Sequence, residues 1–204
     1  MMTRLVAAAM LVVCAAALWG AQGQEESARP ISAAEAEQVV TETRDFVTDL
    51  LWENTEQYWH RGEWDECIRL CRQIVQIDPH FTEAYTSAAY LLWSSDRDDE
   101  ALALYEAGIA ANPDDYGIYH DLGMYHMHAK EWDKAAEQFR NAVEKGAPMY
   151  FQHMLPNALE RGGHKQEALE EWRAIVERFP EDQVAKQHAA ALEQELSSKA
   201  EPER

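Results

Sequence analysis

The sequence predicts an all-α chain: an α-solenoid of about four helix pairs, preceded by an N-terminal helix and closed by a C-terminal capping helix. Three observations carry that prediction. Small and bulky residues recur with a period of 33 or 34, apolar residues within each unit keep helical spacing, and a proline closes every unit.

The period is read from four aligned segments: WDECIRLCRQIVQIDP (64–79), DDEALALYEAGIAANP (98–113), WDKAAEQFRNAVEKGAP (132–148) and KQEALEEWRAIVERFP (165–180). A small residue recurs at Cys67, Ala101, Ala135 and Ala168, in steps of 34, 34 and 33. The bulky slot four positions later recurs at Cys71, Tyr105, Phe139 and Trp172, with the same steps. The closing prolines are Pro79, Pro113, Pro148 and Pro180. Another helical stretch precedes each segment, at 48–60, 82–94, 116–129 and 149–161, so the units run 48–81, 82–115, 116–148 and 149–181. Each pair has an apolar face it cannot bury alone, so neighbours must stack and the last face needs a cover.

Residues 24–47 are expected to hold a lead-in and the N-terminal helix. Ser32 and Glu35 form an S-x-x-E capping box, and no Gly or Pro follows before Gly62. One long helix or two consecutive ones fit there, with Val39, Val40, Phe46, Val47, Leu50 and Leu51 as the expected apolar stripe. At the other end, 182–204 are expected to form the capping helix and a tail frayed from Ser198. The stripe expected to face inward there is Val184, Ala185, His188, Ala189 and Leu192.

Ahead of all this, Arg4 precedes an apolar run, Leu5 to Leu18, followed by small residues at Ala21 and Gly23. That is the pattern of a secretory signal peptide, with cleavage expected after Gly23. The run is short for a membrane span, and Val13 stands before Cys14 where a lipid-anchor box needs a small residue. The expectation is an exported protein, periplasmic or extracellular, without stable membrane insertion after cleavage. The formal charge of −19 disfavours nucleic acid and anionic membrane surfaces, which need clustered Lys and Arg. An acidic surface keeps an exported chain soluble, and it permits a cationic partner without demanding one.

The repeated residues resemble the tetratricopeptide repeat, whose pattern is a bulky residue, Leu-Gly, an aromatic, Ala, Phe and Pro. The third unit matches best, with Tyr119, Leu122, Gly123, Ala135 and Phe139, although His126 replaces the usual aromatic. The first departs most, with Cys67 and Cys71 in the small and bulky slots and Asn54-Thr55 for Leu-Gly. The fourth has Pro156 where Gly is expected, which should kink its first helix. The resemblance covers residues 48–180. It implies that the first helix of each pair lines a concave groove that takes a protein or peptide segment.

The positions that would face such a groove are Trp52, Glu56, Trp59 and His60, then Thr86, Tyr90, Trp93 and Ser94. The third pair adds His120, Met124, Met127 and His128, and the fourth His153, Asn157, Glu160 and Arg161. From these, the candidate partner-binding residues are Trp52, Trp59, His60, Tyr90, Trp93, His120, Met124, Met127, His128, His153, Asn157 and Arg161. Aromatic residues, Met and Arg make hot spots and adaptable contacts at interfaces, whereas ordinary packing between repeats would use the same tryptophans. Family members that clamp a carboxylate terminus use Lys, Asn and Arg in the groove; only Asn157 and Arg161 match, so that ligand is not expected.

Two other readings stay open beside a binding scaffold. His120, Met124, Met127 and His128 share one helical face with ligand types that suit copper, so metal or haem handling is one alternative. Self-association is the other. No cofactor or metal site is assigned, because one helix rarely closes a coordination sphere. Cys67 and Cys71 fall in core slots and are expected to be buried thiols rather than a disulfide. The acidic run 96–100 lacks the glycine and spacing of a calcium loop and reads as a turn that starts a helix. No G-x-S-x-G, H-E-x-x-H or phosphate loop is present, so no enzyme is expected.

Overall fold

The computed structural model describes residues 30–200, with side chains through Ser198. The expected signal peptide and most of the lead-in lie outside the described residues, as do 201–204. The chain divides between Glu42 and Thr43 into two units.

In the first unit the capping box forms as expected. The Glu35 N–H donates to Ser32 Oγ at 3.2 Å, and the Ser32 N–H donates to Glu35 Oε2 at 2.7 Å. This starts helix α1 (Ala33–Arg61), one continuous helix that runs past the expected 47/48 boundary. Val39 and Val40 are 56% and 68% exposed.

The second unit holds the rest of α1 and the array: α2 (Trp64–Ile77), α3 (Thr82–Trp93), α4 (Asp98–Ala111), α5 (Tyr116–His128) and α6 (Trp132–Glu144). Then come α7 (Met149–Gln152), α8 (Met154–Gly162), α9 (Lys165–Arg178) and α10 (Gln183–Ala200), with no strand among the described residues. Helices α3 and α5, the first helices of neighbouring pairs, pack on each other as stacking requires. Each first helix ends on a left-handed residue: Gly62, Asp96, Lys130 and Gly163, with φ of 72°, 58°, 59° and 88°. The next N–H then reaches back across the turn, as Glu63 does to the Tyr58 carbonyl and Glu131 to that of His126. The turn therefore keeps the same register as the core. The acidic run behaves as expected, ending the turn and placing Asp98, Asp99 and Glu100 in the first turn of α4.

The core is built on the recurring slots. Cys67, Ala101, Ala135 and Ala168 are each 0% exposed, and Cys71, Tyr105, Phe139 and Trp172 are all buried. A third slot on the first helix is held by Thr55, Ala89, Gly123 and Pro156, all buried. It is smallest at Gly123, in the pair whose bulky slot is Phe139. A Cβ on Gly123 would lie 2.6 Å from Phe139 Cε1, closer than side chains approach. In the first pair the bulky slot is only Cys71, and Thr55 fits. Both cysteines are free and buried, as expected; Cys67 Sγ donates to the Thr55 carbonyl at 3.4 Å, and burial pushes the Cys71 thiol up to about 12.

Four boundary or stripe expectations are corrected. On α1, Phe46 and Leu50 are 69% and 48% exposed, like the two valines, while Thr48 and Thr55 are buried. The inward face follows a seven-residue step through the threonines, with Leu51 and Trp52 packed between them on the core. Each hydroxyl is satisfied four residues back, Thr48 on the Arg44 carbonyl and Thr55 on that of Leu51, both at 3.0 Å, so burial leaves no orphaned group. Pro156 acts one turn earlier than a local kink: the helix breaks at His153, between α7 and α8, because proline clashes with the carbonyl four residues before it. On α10, Val184 is 48% exposed, since the stripe runs through Ala185, Ala189 and Leu192. That helix also continues through Ala200, past the expected fraying at Ser198.

The capping helix is anchored by Asp182. It accepts the Ala185 N–H at 3.0 Å and lies 2.6 Å from His153 Nε2. Burial pushes its carboxyl up, but the Ala185 and His153 contacts outweigh that and hold it below its usual value.

Gly123→Ala is expected to lower stability by about 1–3 kcal/mol through overpacking. Combined with Phe139→Leu, the loss should be smaller than the sum of the two single losses. Denaturant unfolding of the four proteins measures this; strictly additive losses would separate the two slots.

Candidate binding groove

The repeat register decides which first-helix residues align. Glu56, Tyr90 and Met124 occupy one slot, and Trp59, Trp93 and Met127 the next useful one. The structure turns the first two pairs of this series into a continuous aromatic ledge. Trp64 meets Trp59 edge-on at 5.2 Å, Trp59 stacks on Tyr90 at 6.3 Å, and Tyr90 meets Trp93 edge-on at 5.7 Å. Trp93 then contacts His128 at 4.8 Å. The turn at Gly62 folds Trp64 back to the start of the ledge.

Two cavities flank it. One of ≈ 280 Å³ is walled by Trp59, Tyr90, Trp93, Met124 and His128, with Tyr105, Tyr125, Thr86, Ser87 and Asp121 completing the lining. The other, of ≈ 360 Å³, is lined by Trp52, Thr55, Glu56, Trp59, His60, Ser87 and Leu91. Trp59 and Ser87 belong to both, so the two adjoin.

The ledge rests on a fixed base. The Tyr125 hydroxyl donates to Asp98 Oδ1 at 3.1 Å, and its ring lies 6.2 Å from Trp93 and 6.4 Å from Tyr105. Burial, then the bond to the Asp98 carboxylate, pushes that hydroxyl up to about 12, so it stays a donor across the physiological range. Trp93 is half-buried against the central core, and Trp52 packs on Phe81 at 5.3 Å. Trp59 and Tyr90, by contrast, are 40% and 48% exposed. These two rings present apolar surface that the fold itself leaves uncovered.

Of the candidate residues, the structure gathers Trp52, Trp59, His60, Tyr90, Trp93, Met124 and His128 around the two cavities. It engages the others elsewhere. His120 packs on Phe151 at 4.4 Å and on Phe139 at 5.7 Å, with Nδ1 3.0 Å from Asp121 Oδ1. Met127 packs into the C-terminal core. His153 is held between Asp182 and the Trp172 ring, Asn157 donates to the His153 carbonyl at 2.8 Å, and Arg161 lies 5.6 Å over the Trp132 ring. The four residues of the copper alternative are therefore split between a cavity, an aromatic pocket and the core. Among the described residues no group of three His, Cys, Asp or Glu side chains is placed to hold a metal ion.

Sequence reasoning missed Trp64, Ser87, Asp121 and the supporting pair Tyr105 and Tyr125. Ser87 and Asp121 stand one position after Thr86 and His120, again 34 apart, so a groove stripe one residue wider would have found them. Trp64 opens α2, outside the first-helix stripe from which the groove residues were read.

Residues 58–123 match a family model described as tetratricopeptide repeat. BBSome complex member BBS4 of Bos taurus is 26% identical over 121 residues, covering 59% of this chain. The chain spans only 23% of the length of that curated relative. Pseudomonas aeruginosa PilF has a similar fold, with a TM-score of 0.59 at 15% identity over 76% of this chain and 72% of that one. YrrB, a TPR protein with an unusual peptide-binding site, gives a TM-score of 0.53 at 17% identity over 72% of this chain and 76% of its own. None of the helices in the described residues is long and apolar enough to cross a membrane. With helix pairs stacked at this period and residues 58–123 matched by the family model, that part of the chain carries tetratricopeptide repeats, and the fold is that of solved tetratricopeptide-repeat proteins.

Proposed function

We propose that this chain is an exported scaffold that holds an extended segment of a protein partner along the ledge from Trp64 to His128. The family's fold is a protein-interaction scaffold in general and typically a non-enzymatic one. The observation that carries the finer reading is the pair Trp59 and Tyr90, stacked on each other yet 40% and 48% exposed, beside two adjoining cavities. Exposed, pre-ordered rings beside concave surface are what a partner's side chains need to bury apolar area at low entropic cost. YrrB has a peptide-binding site on a similar fold, which supports a peptide as the kind of ligand. Export rests on Arg4, the apolar run Leu5–Leu18 and the small residues Ala21 and Gly23.

A displayed library of random twelve-residue peptides, panned on the parent and on a Trp59→Ala/Tyr90→Ala variant of unchanged helicity, tests the binding reading. Enriched clones should bind the parent and lose at least about tenfold in affinity on the variant, the scale of a hot-spot truncation. Clones that bind both equally, or no enrichment, would overturn it. For export, N-terminal sequencing of protein recovered outside the cytoplasm should begin at Gln24; recovery of the full-length chain inside the cytoplasm alone contradicts it.

A further inference from the structure

We propose that the partner segment carries a basic side chain, arginine or lysine, and that its cation seats in the cavity walled by Trp59, Tyr90 and Trp93 with Asp121 as counter-charge. This rests on the groove reading above and specifies the chemistry of its ligand.

Three cavities adjoin along this face. The two beside the ledge share Trp59 and Ser87, and a third of ≈ 240 Å³ shares Thr86 and Asp121 with the first. Their combined lining includes four carboxylates, Glu56, Glu83, Asp115 and Asp121, and no lysine or arginine. Asp115 is committed to capping α5, accepting the N–H groups of Gly117 and Ile118 at 2.7 and 3.3 Å. Asp121 has one oxygen 3.0 Å from His120, and its side chain remains 43% exposed. Its charge reaches the cavity floor: the Tyr105 hydroxyl is pushed up first by burial and then by the Asp121 carboxylate.

The ring faces add a second attraction. A cation over Trp or Tyr is held by the ring quadrupole, most strongly over Trp and when water is excluded. The fold shows this pairing outside the ledge, where Arg61 lies 4.5 Å over Tyr58 and Arg161 5.6 Å over Trp132. Among the described residues no such cation covers Trp59, Tyr90 or Trp93. Rings without a cation, a half-exposed carboxylate and a lining with four carboxylates but no lysine or arginine together select a basic segment and repel an acidic one. The overall charge of −19 steers such a segment inward.

Fluorescein-labelled octa-arginine and octa-glutamate peptides, titrated by anisotropy at physiological salt, provide the test. The proteins are the parent, Asp121→Asn, Tyr90→Ala and a control, Glu137→Gln/Glu170→Gln, which removes two exposed carboxylates that line none of the three cavities. Octa-arginine should bind the parent, weaken about tenfold on each groove variant, and change less than twofold on the control; octa-glutamate should not bind. Equal weakening on the control would reduce the attraction to diffuse charge and overturn the proposal, as would an Asp121→Asn or Tyr90→Ala protein that binds like the parent. If library-selected peptides still depend on Trp59 and Tyr90 but show no basic enrichment and no dependence on Asp121, the groove reading stands and the cation reading falls. If neither dependence appears, both fall.

Discussion

Two helices of a pair can approach closely only where a small side chain on one meets the space another residue needs. Here that constraint is met by volume exchange across the pair. Gly123 faces Phe139 with no room for a methyl group, whereas Thr55 sits over the slimmer Cys71 and Cys67. Close packing without voids is worth several kcal/mol per large buried residue, and the slots leave little latitude for a single change. Each pair then offers its neighbour a face in fixed register, so spacing in sequence becomes alignment in space.

The ledge follows from that alignment. Trp59, Tyr90 and Trp93 touch because their helices are held one repeat apart, and Tyr125, pinned to Asp98, supports them from below. Further along, the same slots turn to internal work. Glu160, equivalent to Trp59 and Trp93, accepts the Trp172 indole N–H at 2.7 Å. His153 secures Asp182 and the cap. The array is thereby divided between an end that leaves aromatic rings exposed and a closing end, within one repeated plan.

Most of the fold was legible because it depends on periodic features: the small and bulky slots, the prolines and the Ser32–Glu35 cap. What failed was phase. Val39, Val40, Phe46 and Leu50 promised an apolar stripe, but α1 turns Thr48 and Thr55 inward, since threonine can bury once its hydroxyl bonds a carbonyl four residues back. Hydrophobicity alone does not report that option. The groove was legible in its first half for the same periodic reason. In its second half, His120, His153 and Asn157 bear groove-facing spacing yet are claimed by other contacts, His120 by Phe151 and His153 by Asp182, that no local pattern reveals. Asp121 was missed because it shares the register of Ser87 rather than of the aromatic residues.

The central claim is that a partner lies on the aromatic ledge rather than on any other face. Indole N–H resonances of nitrogen-15-labelled protein, followed during titration with a bound peptide, address it directly. Trp59 and Trp93 line the cavity, and Trp172 is 0% exposed at the far end of the array. The account predicts that the Trp59 and Trp93 signals shift together in proportion to binding while that of Trp172 stays in place. A saturating complex that leaves Trp59 and Trp93 unmoved would contradict it.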